Sequence, residues 1–449
     1  MTDNAAPLKL APSPKHRPIL GMIPEMTKDM LGMFMDLTKQ HGGIVQFKLL
    51  NKTYMLVTKP EYVKHILQSN HHNYIRGRSV ETGRVLLGNG LPLSDGEFWL
   101  QQRRIMQPAF HRQKLSTLAE TMTNVIQKHL SDWERYNQAH QVFDMEDEMT
   151  NLTLSIIIKT MFSAKITEAQ VKTLGEAFRT ASAFMLWKSQ QFIQLPLSFP
   201  LPKHIAYNKA AKALDEIVYP LIAEGRKNPQ DDLLGMLLNA KDAETGLGMS
   251  DAQVRDEIIT IFFAGHETSA MALTWAFYLI AKHPHVESKL MGEITQVLNQ
   301  RTPTLEDLPK LTYTTQVINE VLRLYPPAYL FAREAVTDQE LDGYFIPAGA
   351  LIFITPYVTH HDPTYWNDPE TFDPERFTPE NMSKRNKDIY YPFGAGPHIC
   401  IGNNLAMMEM QLTLAMAYQR FAPKLLSNSA VGLRPEATLR PKGGMKMKL

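Results

Sequence analysis

Residues 393–402 read FGAGPHICIG, and the single cysteine of the chain, Cys400, stands inside this turn. Gly394, Gly396, Pro397 and Gly402 surround it. Glycine admits positive φ and lets backbone come close to a bulky planar group. The run that follows, NNLAMMEMQLTLAMAYQRF, has helical spacing, with Leu405, Met408 and Leu412 expected on its buried stripe. A thiol near a helix N-terminus meets free N–H groups, which favour thiolate and lower a pKa of about 8.5. That is a ligand's environment. A lone cysteine is otherwise most often a small buried hydrophobe, and on this stretch alone both readings stand.

A second stretch, FAGHETSA at 263–270, sets four polar side chains and Gly265 inside a run apolar on nearly every face, IITIF before it and MALTWAFYLIA after it. Each unpaired polar group in such a helix costs roughly 2 kcal/mol, and the glycine costs about 1 kcal/mol against alanine. Something has to compensate.

The chain has 449 residues, 44% hydrophobic and 21% charged, enough for a large core. Lys+Arg number 47 and Asp+Glu 46, so no global charge argues for nucleic acid or an anionic membrane as partner. One cysteine excludes an internal disulfide framework and a multi-cysteine zinc site and fits a reducing compartment. The start, MTDNAAPLKLAPSPKHRP, lacks a signal or transit pattern, and MALTWAFYLIA falls short of the ~18 residues that span a bilayer. A soluble, cytoplasmic protein without a transmembrane segment is expected.

MTKDMLGMFMDLTKQHGG has helical spacing and ends on glycines; IVQFKL and TYMLVT follow as strand-like runs around an Asn-Lys turn. Helix is expected over about 97–325 and 403–421, and short strands over about 44–57, 331–377 and 424–449. The fold class is mainly α with a smaller β-rich region, sharing one core.

FGAGPHICIG fits the pattern Phe-x-x-Gly-x-x-x-Cys-x-Gly and resembles the haem-binding signature of the haem-thiolate monooxygenases, the cytochromes P-450. Three more motifs of that family follow its order: AGHET at 264–268, Glu320-Val-Leu-Arg323, and PERF at 374–377. The resemblance covers nearly the whole chain. It implies one haem domain over 1–449, a triangular prism of helices around a buried haem b, with no fused reductase. It implies Cys400 as the iron ligand, with Phe393, Gly394 and Gly402 shaping the loop. It implies Trp99, Arg103, Arg333 and His398 as partners of the haem propionates, His398 standing where the family often has arginine, so that this contact would be weaker and pH-dependent. Glu320, Arg323 and Arg376 would form a buried triad that pins the cysteine loop. Such a triad loses roughly 3–5 kcal/mol when one member is deleted.

In the same reading Ala264 and Gly265 are small so that dioxygen and substrate fit beside iron. Thr268 bonds back to the carbonyl of Ala264, and its hydroxyl with the Glu267 carboxylate forms a proton-delivery route. Val85, Leu86, Phe184, Leu186, Phe263, Tyr329, Leu330 and Ala437 are the expected pocket lining, nearly all apolar, which favours a hydrophobic substrate such as a fatty acid, terpenoid or steroid. Hydroxylation or epoxidation with O2 would draw electrons from NAD(P)H through a separate ferredoxin or flavodoxin and its reductase, docking on a monomer near the cysteine loop, with Arg103 and Arg104 contributing. Two other classes compete: a non-haem iron site at His360-His361-Asp362 with His398, and a non-catalytic haem carrier or sensor. A zinc helix at GHETS lacks its second ligand, because the residue four after His266 is Ala270.

Overall fold

Residues 44–57 form the hairpin on which the first of two compact units is built. The structure is a computed structural model that describes residues 8–50, 52–111, 116–162, 166–189, 191, 195–427 and 430–449. The first unit takes segments 1–80, 322–371 and 379–400, the second 81–321, 372–378 and 401–449.

In the first unit, helix α1 (Ile23–His41) precedes β1 (Ile44–Leu49), β2 (Lys52–Val57), β3 (Tyr74–Ile75), β4 (Phe331–Ala335) and β5 (Leu351–Ile354). They pair in the order β1-β2-β5-β4-β3. Lys52 is already the first residue of β2, so the expected Asn-Lys turn is shorter than its sequence suggests; Asn51 lies outside the described residues. β5 runs parallel to β2 and antiparallel to β4, and all four of its residues are buried. A strand covered on both faces needs continuous rather than alternating apolar residues. On one face Phe34 of α1 meets Phe47 and Phe353, ring centroids 6.2 and 6.0 Å apart. On the other, Val63, Ile66, Tyr74, Ile352, Ile354 and Tyr391 share a core. Tyr391 thereby fixes the chain two residues before the cysteine turn begins.

In the second unit the helices that matter for the site are α2 (Gly96–Met106), α3 (Met145–Phe162), α4 (Pro202–Lys227), α5 (Asp251–Lys282), α6 (Thr312–Leu324), whose last residues belong to the first unit, and α7 (Asn403–Tyr418). α5 begins with a capping box: Ser250 Oγ accepts from the Gln253 N–H at 3.3 Å, and Gln253 Oε1 accepts from the Ser250 N–H at 2.8 Å. It packs against both α3 and α7. α7 is wider in its burial than the expected three-residue stripe, since Glu409, Met410 and Gln411 are buried beside Met408 and Leu412. The cause is contact on several sides, with α5 and with helix Ser116–Gln138. Strands β6 (Leu433–Pro435) and β7 (Leu439–Pro441) form a late antiparallel hairpin. Helix makes up 59% of the chain. Among the described residues no helix is long and apolar enough to cross a membrane.

Candidate active site

The cysteine loop is shaped by backbone. The Cys400 N–H donates to the Phe393 carbonyl at 2.9 Å, closing the turn on itself. Gly394 and Gly396 have φ of +74° and +69°, a region that side chains other than glycine enter at a cost. A Cβ on Gly396 would stand 1.9 Å from the Leu67 carbonyl oxygen, whereas one on Gly394 would meet only Phe331 Cζ at 3.9 Å. Gly396 is thus needed for close approach, Gly394 for its torsion. Gly402 is neither: it caps α7 at φ −88°. Cys400 is exposed, so its reading as a small buried hydrophobe is set aside. In the same unit, half-buried His398 stands edge-on to His71, centroids 6.3 Å apart, and half-buried Arg333 of β4 donates Nη1 to the Ala332 carbonyl at 2.8 Å.

Support for this loop comes from residues that motif reading assigned elsewhere. The Tyr391 N–H donates to His360 Nε2 at 3.2 Å, and the Tyr391 hydroxyl lies 2.6 Å from Thr359 Oγ1. Burial, with the Arg323 guanidinium adding to it, holds the His360 pKa well below the usual imidazole range, so the ring is neutral and can accept. His361 points Nδ1 at the Tyr357 carbonyl, 2.8 Å away. Both imidazoles are spent on the fold, and among the described residues no cluster of three or more His, Cys, Asp or Glu could hold a metal. The His360-His361-Asp362 alternative is therefore corrected: the doublet is a structural brace.

On α6, Glu320 and Arg323 are both fully buried. Arg323 donates to the carbonyls of His360 (2.8 Å), Pro369 (2.7 Å) and Thr371 (3.1 Å), and its guanidinium lies 5.1 Å from the Trp366 ring centre. Glu320 Oε1 accepts from the Asp373 N–H at 3.0 Å and stands 3.3 Å from Arg376 Nε. The structure thus brings Glu320 and Arg376 together and gives Arg323 three carbonyls as well, a saturated set of the kind that tolerates full burial.

The middle of α5 answers the question its polar residues raise. Thr268 Oγ1 donates to the Ala264 carbonyl at 2.7 Å, as the sequence predicts. Ala264 is exposed on its helix. Gly265, expected to make room for dioxygen and substrate, does something else: a Cβ there would reach Ile157 Cδ1 at 3.1 Å, so its smallness serves the packing of α5 on α3. His266 is buried, its Nδ1 3.2 Å from the Phe262 carbonyl and its ring edge-on to Phe178 at 5.3 Å; burial lowers its pKa. Glu267 is buried, and its Oε1 accepts from Thr438 Oγ1 (2.9 Å), Arg440 Nη2 (2.9 Å) and Arg440 Nε (3.2 Å). Arg440 also bonds Glu146 Oε1 at 2.5 Å. Burial pushes the Glu409 carboxyl on α7 up to about 8, with the Ser269 hydroxyl pulling the other way. Sequence reasoning missed Arg440, Thr438 and Glu146. Glu146 reads as an ordinary first-turn acid of α3, and nothing local marks Arg440 as its partner.

Trp99 is buried and Arg103 half-buried one turn apart on α2. Arg104 pairs with Asp242 at 3.0 Å and Glu244 at 2.7 Å, so the positive charge expected to help dock an electron donor is already neutralised. Among the pocket candidates, the carbonyl of half-buried Val85 accepts from the Tyr207 hydroxyl, and that of buried Leu86 from Arg255 Nη1 at 3.2 Å. Phe184 is buried against Tyr207, with ring centroids 4.5 Å apart, and Trp187 and His204, both at 5.5 Å. Buried Tyr329 accepts at its carbonyl from Thr355 Oγ1 at 2.8 Å, and Leu330 packs on the α1 face of the sheet. Core packing accounts for Phe184, Tyr329 and Leu330. Leu186, Phe263 and Ala437 are half-buried, Ala437 in the β6–β7 turn beside Thr438.

One exposed thiol on a glycine-shaped loop is a soft, anionic ligand suited to haem iron, and Arg103, Arg333 and His398 are the donor types that carboxylates require. A helical protein with this donor set is of the haem-thiolate class. The cytochrome P450 family model matches residues 11–449. Cyclooctat-9-en-7-ol 5-monooxygenase of Streptomyces melanosporofaciens is 34% identical over 411 residues, 91% of this chain and 88% of that protein. Pentalenene oxygenase of Streptomyces avermitilis is 31% identical over 96% of this chain and 93% of its own length. The crystal structure of the cytochrome P450DA heme domain superposes with a TM-score of 0.90 at 26% identity, covering 98% of this chain and 97% of that one. The chain belongs to the cytochrome P450 family: it is a P450 monooxygenase, a haem enzyme that uses O2.

Proposed function

We propose that this P450 oxygenates an apolar alkene or its mono-alcohol, at a carbon remote from polar groups, with electrons from NAD(P)H relayed by a separate ferredoxin or flavodoxin and its reductase. The names of two relatives, an en-ol monooxygenase and an -ene oxygenase, support that substrate class. So does the half-buried, apolar set Val85, Leu186, Phe263 and Ala437. One haem domain acting as a cytoplasmic monomer completes the reading, in keeping with a family match that runs through residues 11–449.

Cys400 would hold the haem iron, and Trp99, Arg103, Arg333 and His398 its propionates. Bound haem supplies the iron at which dioxygen is activated, and the thiolate pushes electron density toward cleavage of the O–O bond. The protein's part is protons. Thr268 donates its hydrogen to the Ala264 carbonyl, which leaves its oxygen lone pairs free to accept from a water; turning away from that carbonyl makes the hydrogen available for donation. Glu267 takes its three hydrogen bonds on Oε1, and among the described residues none falls on Oε2. Oε2 is therefore the atom at which this anchored carboxyl would hold and release a proton. General acid delivery of this kind contributes about 10²–10⁴ in rate.

The observation that carries the reading is the Thr268 to Ala264 bond beside an anchored acid. Its test is a binding screen of the purified holoenzyme by spin-state shift, followed by reductant-dependent turnover. Alkenes and their mono-alcohols should shift the spectrum and be oxygenated; response to fatty acids or steroids alone would redirect the substrate class, and binding without turnover would favour a carrier.

A further inference from the structure

The turn at 17–21 and the end of the β1–β2 hairpin lie against each other and display uncovered apolar side chains. Met22 N–H donates to the Lys48 carbonyl at 2.7 Å and Leu50 N–H to the Leu20 carbonyl at 3.2 Å, while Gly21 bridges Leu49. A Cβ on Gly21 would stand 2.1 Å from the Lys48 oxygen, so the two turns are in close contact. At their junction Ile19, Leu20 and Leu50 are 79%, 45% and 41% exposed. A single exposed leucine means little. Here, however, Ile19 and Leu50 hold φ of +67° and +52°, torsions that glycine or asparagine adopts readily and a β-branched residue seldom does. Strained, apolar and displayed to solvent, they gain nothing for the fold that asparagine would not give.

Charge says what covers them. Segments 8–24 and 44–58 hold five basic residues, Lys9, Lys15, Arg17, Lys48 and Lys52, and no Asp or Glu, in a chain whose totals are 47 against 46. All five are exposed. The neighbouring carboxylate is Glu25, 3.5 Å from Arg17. Apolar tips ringed by cations match a membrane interface, where side chains enter the headgroup boundary and Lys and Arg meet anionic lipid. Three side chains are too few for a protein partner, which needs about 800 Å² on each side.

We infer that this face docks the enzyme peripherally on anionic lipid bilayers, Ile19, Leu20 and Leu50 inserting and the surrounding lysines and arginine holding the headgroups. Attachment places the enzyme at the phase into which apolar compounds partition, and it stands independently of which substrate is oxidised.

The test is co-sedimentation of the holoenzyme with vesicles of mixed phosphatidylglycerol and phosphatidylcholine, against phosphatidylcholine alone. Partitioning should be at least about tenfold stronger on the anionic vesicles and should fall as salt rises from about 0.1 to about 0.5 M. The double variant Ile19→Asn/Leu50→Asn suits the left-handed backbone, so it should keep the Tm and lose about tenfold in partitioning. Lys48→Gln/Lys52→Gln should erase the anionic preference. The inference is overturned if the wild-type enzyme does not sediment with either vesicle, binds both alike, or binds undiminished in the folded asparagine variant.

Discussion

The cysteine loop and the middle of α5 solve the same problem, placing reactive groups in a largely apolar protein, by opposite means. The loop is held by backbone: one internal hydrogen bond from Cys400 to Phe393, two glycines with positive φ, and a contact with the Leu67 carbonyl. The helix is held by side chains from far along the chain, Thr438 and Arg440 on Glu267 and Thr153 on the His266 carbonyl. The first arrangement is written in a few adjacent residues; the second exists only after folding. The contrast predicts that the loop fails through torsion and sterics, and the helix through unpaired charge and misdirected protons.

The largest effect should come from the buried carboxylate on which the motif segments converge. Glu320→Ala leaves Arg376 and the Asp373 N–H without their acceptor and should cost about 3–5 kcal/mol, seen in denaturant unfolding and in lost haem content. A stable, haem-replete variant would remove the motif from the account. Within the loop, Gly396→Ala faces both a 1.9 Å clash with backbone and the wrong torsion, and should cost about 2–3 kcal/mol. Gly394→Ala keeps its space and pays for φ alone, about 1 kcal/mol. Equal losses would mean that close approach to Leu67 does not matter.

On the helix side, Thr268→Ala removes one hydrogen bond and should leave stability within about 1 kcal/mol. Product formed per reductant consumed should fall about tenfold, equivalent to about 1.4 kcal/mol, with peroxide released instead. Unchanged coupling would remove Thr268 from the proton route. The smallest effect is a pH dependence. Glu409 is held protonated by burial, its pKa raised from 4.5 to about 8. Between those values the folded state binds a proton that the unfolded state has lost, so stability is fully present below the lower value and declines as pH rises through the upper one. Tm should fall from about pH 5 to about pH 8, and Glu409→Gln should flatten that slope; an unchanged slope would assign it to other groups.

How much of this was legible follows from the same contrast. The Cys400 loop, the Thr268 back-bond and the pairing of Glu320 with Arg376 were all readable, because each depends on local spacing or on a motif of fixed order. Gly265 was misread because a glycine facing a neighbouring helix and one facing a ligand look alike until Ile157 is in place. His360 and His361 looked like metal ligands because sequence cannot show that their nitrogens are already committed to Tyr391 and Tyr357. Arg440 was invisible, since its partners Glu146 and Glu267 lie 294 and 173 residues away. Phe184 and Leu330, read as pocket lining, are apolar residues whose neighbours turn out to be core.

The central claim is that Cys400 supplies a thiolate to haem iron. The most direct measurement is the carbon monoxide difference spectrum of the reduced protein, recorded on the wild type and on Cys400→Ala after expression with ample haem. The wild type should give the long-wavelength thiolate band, and the alanine variant should lack it. A colourless wild-type protein, or a variant whose pigment and band are unaltered, would contradict the account.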